Sequence, residues 1–125
     1  MRYLTDRKRA MGKGSAHTGT EHHWYMQASA VGLAVLVPFF VYFVGHAFRQ
    51  SYQDAWVTIS RPYVAIPMAL TIFVGMRHFA KGATMMIEDY ARGTARKALI
   101  IAALSLSYVI TAIGLYALIL ISLKA

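Results

Sequence analysis

The 125-residue sequence has no cysteine. That excludes disulfides, thiolate zinc sites, covalently attached c-type haem and iron–sulfur clusters held by this chain. Charge is scarce too: 14% of residues are Asp, Glu, Lys or Arg, against about 25% in an ordinary soluble domain. Three prolines, nine glycines and no low-complexity tract leave little room for linkers, so residues 1–125 read as one domain. No Gly-rich phosphate loop, nucleophile elbow, HExxH or paired catalytic carboxylates occur. By itself the chain has no visible means of breaking covalent bonds.

What it has in excess is apolar surface. Hydrophobic residues make up 58% of the chain, and a chain this short cannot bury that much away from water. A lipid bilayer is the economical solvent. The net charge of +8 fits the same reading, because most of the 13 Lys and Arg lie outside the long apolar runs. No soluble segment interleaves aromatic with basic residues, so nucleic acid is not expected as a partner.

The pattern predicts an all-α integral membrane protein with three transmembrane helices. Residues 1–24 form a polar, basic tail; the spans cover about 25–48, 62–88 and 98–123. The purest part of the first, Ala28 to Phe48, has 21 residues and covers roughly 30 Å, enough for the hydrocarbon core. It is too long for a signal-peptide core and reads as a retained span. Ser60-Arg61-Pro62 suits a helix start, since proline is tolerated in the first turn. Eight Lys and Arg flank one side (Arg2, Arg7, Lys8, Arg9, Lys13, Arg92, Arg96, Lys97) and three the other (Arg49, Arg61, Lys124). The imbalance predicts a cytoplasmic amino terminus and a periplasmic carboxyl terminus.

An ionisable side chain inside a membrane must face protein, water or a ligand. The second span concentrates such residues: Arg77, His78 and Lys81. Lys81 suits snorkelling toward a headgroup layer; Arg77 lies deeper and is less well explained that way. Asp89 follows His78 by eleven residues, within about 20° on the helical wheel and about 16 Å along the axis. His78 therefore lies near mid-membrane, where its imidazole needs an interhelical hydrogen bond, a proton path or a metal such as haem iron. Gly75 and Gly82 flank it and leave space for a flat macrocycle or for close helix contact. Asp89-Tyr90 at the span end reads either as an interfacial cap or as a carboxylate and phenol that hold a carbonyl and manage its protons. His22-His23-Trp24 reads as an interfacial belt or as donors to haem propionates or a docked partner. His46 reads as interfacial, His17 as solvated, and Met85 and Met86 as packing.

The string Arg77-His78-Phe79-Ala80-Lys81-Gly82-Ala83-Thr84-Met85-Met86-Ile87-Glu88-Asp89-Tyr90 resembles the second-span motif of the smaller hydrophobic membrane-anchor subunits of succinate dehydrogenase (complex II). That motif is a histidine followed eleven and twelve residues later by Asp-Tyr. The three-span layout and the approach Gly19-Thr20-Glu21-His22-His23-Trp24 look similar too, and the opening resembles alphaproteobacterial anchors. The resemblance implies a membrane subunit of succinate:quinone oxidoreductase, with succinate oxidation on another subunit. It implies that His78 is an axial ligand of haem b shared with a second anchor (cytochrome b) subunit. It further implies that Tyr90 and Asp89 belong to a quinone site serving ubiquinone, and that His22 or His23 contacts a haem propionate. Flavoprotein and iron–sulfur subunits would complete the complex, in a bacterial inner membrane or, in a eukaryote, the mitochondrial inner membrane. The alternatives are a small cofactor-free transporter and a structural assembly subunit. A transporter would need an embedded acid, and spans one and three have none.

Overall fold

A computed structural model describes residues 4–15 and 19–124 of the chain; Arg2 and His17 lie outside the described residues. The described residues form helices and no strand: α1 (Asp6–Met11), α2 (Thr20–Ala47), α3 (Tyr52–Ser60), α4 (Pro62–Tyr90) and α5 (Gly93–Leu123). Three of these, α2, α4 and α5, are long and apolar enough to cross a membrane. With 28, 29 and 31 residues they run past the apolar stretches that predicted them, each extending to about 42–46 Å. Pro62 occupies the first turn of α4, as expected of a residue without an N–H to satisfy.

Two short helices lie where the sequence reading placed only a polar tail and a connection. The capping signal for α3 is local: the Ser51 hydroxyl accepts from the Asp54 backbone N–H at 3.2 Å and donates to the Asp54 carboxylate at 2.6 Å. In α1 the Thr5 hydroxyl accepts from the Lys8 N–H. Between α4 and α5 the chain reverses over Ala91 and Arg92, and Gly93 takes φ +62°. A side chain there would collide with the following carbonyl, so this turn favours glycine.

The helix order is α2–α4–α5, with α4 in the middle; α2 and α5 pack on it without touching each other, and α3 reaches all three. At the α3 end, Val64, Met68 and Leu118 form a small buried cluster with Phe40, Phe43, Val44 and Ile59 around it. Elsewhere the apolar side chains face outward, as Val35, Ile101 and Ile113 do. A soluble protein could not tolerate that surface, whereas lipid is as apolar as the side chains.

Lipid also removes the hydrophobic drive for helix association, so close packing and hydroxyl groups must hold the bundle. Among the described residues the buried polar ones are Ser29, Thr71 and Ser107. Ser107 on α5 donates to the Met76 carbonyl on α4 at 2.7 Å. Thr71 donates to the Pro67 carbonyl one turn back at 2.7 Å. Ser29 joins α2 to α4 at His78, in the other half of the bundle.

Candidate functional site

The periodicity of α4 sorts its residues onto three faces. Ala69, Ile72, Met76 and Ala80 turn toward α5, while Thr71, Gly75, His78 and Gly82 turn toward α2. Between these faces runs an outward stripe with Tyr63, Ile66, Leu70, Phe73, Arg77, Lys81 and Glu88 exposed. The half nearer α3 is apolar and the other half is charged. This face of α4 lies open between its two neighbours.

His78 sits on the α2-facing shoulder, half-buried. Its Nδ1 lies 2.7 Å from the Ser29 hydroxyl oxygen. Ser29 itself is 7% exposed, and its hydroxyl donates backward to the Tyr25 carbonyl at 2.7 Å, with the Met26 carbonyl at 3.1 Å. The interhelical hydrogen bond expected among the options for His78 is therefore present. It occupies one ring nitrogen and leaves Nε2.

The flanking glycines serve helix contact. A methyl at Gly75 would meet Leu33 at 3.7 Å, and one at Gly82 would meet Met26 at 3.7 Å. Those positions bring α2 close instead of leaving room for a macrocycle on that side.

Arg77 and Lys81 are exposed on the open face and line a cleft of about 470 Å³ with His22, Thr84, Glu88 and Tyr108. Arg77 also stands 6.0 Å from the centroid of the Tyr25 ring, at the outer reach of a cation–π contact. His22 and His23 fall in the first turn of α2. His22 reaches across to α4, its Nε2 2.8 Å from the Met85 sulfur, whereas His23 is exposed. Met85, read from sequence as packing, thus pins the start of α2 to α4. His46 lies in the last turn of α2, stacked on Tyr42 at 6.2 Å and 3.3 Å from the Gln50 amide nitrogen.

Asp89 and Tyr90 close α4 and are exposed, Tyr90 to 87%. Because α4 is continuous, they stand about 16–18 Å along the axis from His78. The structure thus separates two sets of polar side chains on one helix: an imidazole inside the bundle and an acid–phenol pair at its end. Sequence reasoning missed Ser29 and Ser107. Their signal was a small hydroxyl within an apolar run, which in a membrane helix can mark a neighbour's contact.

Comparison with known proteins bears on this arrangement. Residues 1–121 match the family model described as succinate dehydrogenase/fumarate reductase transmembrane subunit. A succinate dehydrogenase hydrophobic membrane anchor subunit from Paracoccus denitrificans is 47% identical over 118 residues, covering 94% of this chain and 92% of that protein. No solved structure matches the chain.

Proposed function

The chain belongs to the succinate dehydrogenase/fumarate reductase transmembrane-subunit family, and from that membership we propose that it carries one axial ligand of a haem b and part of a quinone-reduction site. It is a membrane-anchor subunit of an oxidoreductase complex. In the proposal, a flavoprotein subunit oxidises succinate and an iron–sulfur subunit relays the electrons, since this chain lacks the cysteines for clusters. A second anchor subunit covers the open face of α4. The bundle end with Asp89 and Tyr90 faces the cytoplasm of a bacterial inner membrane, in keeping with the flanking basic residues.

One observation carries the ligand assignment: His78 is bonded through Nδ1, so Nε2 is the nitrogen available to iron. Its half-buried position in the membrane interior excludes the bulk water that would otherwise satisfy it. The donor set suits a haem held between two chains, each giving one histidine. Arg77 and Lys81, which share a cleft with His22 and Glu88, would offer the cationic donors suited to propionates. Held there by His78, haem b would supply one-electron transfer.

The quinone reading rests on Asp89 and Tyr90. The exposed Tyr90 hydroxyl can donate to a quinone carbonyl, and the exposed Asp89 carboxylate can pass on protons from the aqueous side. Reducing a quinone to a quinol consumes two of them.

The test is spectroscopic. The purified complex should give a reduced-minus-oxidised b-type spectrum, and His78→Ala should shift or abolish it while Arg77→Ala retains coordination. An unchanged spectrum in a fully assembled His78→Ala complex sinks the ligand role.

A further inference from the structure

A histidine that binds iron through Nε2 must carry its proton on Nδ1, and something must receive that proton. In the apolar interior the choice of acceptor is narrow. Ser29 has one hydroxyl proton, and two carbonyl oxygens, of Tyr25 at 2.7 Å and Met26 at 3.1 Å, can only accept it. With that proton directed at the α2 backbone, the Ser29 oxygen presents its lone pairs to His78 Nδ1 at 2.7 Å. The proton between them then comes from the imidazole.

We propose that Ser29 is a positioning residue that locks His78 in the Nδ1–H tautomer, aims Nε2 at the iron and tunes the redox potential of the haem. The inference rests on the haem-ligand reading of His78.

Two features suit Ser29 to this task. It is buried at 7% exposure, so water does not compete for the imidazole proton. Its own hydroxyl is anchored to the backbone one turn back, which fixes the acceptor before the ring arrives. The chain of imidazole N–H, serine hydroxyl and peptide carbonyl is polarised along its length, with the carbonyl drawing on the hydroxyl and the hydroxyl on the ring. A ring that donates from Nδ1 becomes a more basic ligand at Nε2. A more basic ligand favours ferric over ferrous iron and lowers the midpoint potential.

The experiment uses the assembled complex with Ser29→Thr and Ser29→Val, nearly equal in shape and different by one hydroxyl. Haem content, the reduced-minus-oxidised spectrum and the potentiometric midpoint are measured for each, with His78→Ala alongside. Ser29→Thr should keep the wild-type midpoint. Ser29→Val should raise it, by about 59 mV for each tenfold loss of ferric relative to ferrous binding, or should lose haem that Ser29→Thr retains. Equal midpoints in the two loaded variants overturn the proposal, and so does loss of haem from both, because packing alone would then explain Ser29. If His78→Ala abolishes the spectrum while Thr and Val behave alike, only the Ser29 inference fails. If His78→Ala leaves the spectrum intact, the ligand reading itself has failed and this inference falls with it.

Discussion

Replacing Tyr90 by Phe removes one hydroxyl and keeps the ring. Tyr90 is 87% exposed at the last position of α4, so the folded chain loses no packing of its own. In the proposed quinone site, a hydrogen bond from the phenol to a quinone carbonyl would contribute roughly 0.5–1.5 kcal/mol, and more as charge develops on the oxygen during reduction. Each 1.4 kcal/mol is about a tenfold change in rate. Succinate-driven ubiquinone reduction by the Tyr90→Phe complex is therefore expected to fall about tenfold or more. The haem should be spared, because the phenol lies about 18 Å along α4 from His78, further than a side chain reaches. Succinate-driven reduction of a water-soluble artificial acceptor should stay near wild type, since that path bypasses the membrane site. Asp89→Asn, which keeps shape and removes the charge, should act in the same direction and alter the pH dependence of quinone reduction. Wild-type quinone-reduction rates in both variants would refute the reasoning and reduce Asp89-Tyr90 to an interfacial cap.

Three further outcomes follow from the packing. Ser107→Ala deletes the α5-to-α4 hydrogen bond at Met76 and should lower resistance to unfolding in detergent by about 0.6–2 kcal/mol, as a denaturation midpoint would record. Gly114→Ala places a methyl 3.0 Å from the Ile72 side chain and should loosen α4 against α5, whereas Gly75→Ala and Gly82→Ala, with 3.7 Å available, should be milder in the same assay. Expressed without a companion anchor, the chain should aggregate or insert poorly, because Arg77 and Lys81 would face lipid at a cost of several kcal/mol; a stable monodisperse monomer in mild detergent would contradict this.

Much of this protein was legible from sequence, because the bilayer imposes a one-dimensional code. Length and apolarity determine a span, so the three long helices and the Pro62 start could be read from residue runs. The His78-to-Asp89 spacing placed an imidazole deep and an acid at the edge, because helical rise is constant. The α3 helix was not read, although Ser51 and Asp54 hold its start in a local cap that the structure makes plain. Other features depended on which faces meet, and periodicity within one helix cannot supply that. Only the tertiary structure put α4 in the middle, turned Gly75 and Gly82 toward α2, and left Arg77 and Lys81 on an open face. Only it paired His78 with Ser29, 49 residues away in sequence, and His22 with Met85, 63 away. A lone serine among apolar residues carries no directional information in the sequence. It acquires a role when a neighbouring helix brings a nitrogen within 2.7 Å of its oxygen in a place that water does not reach.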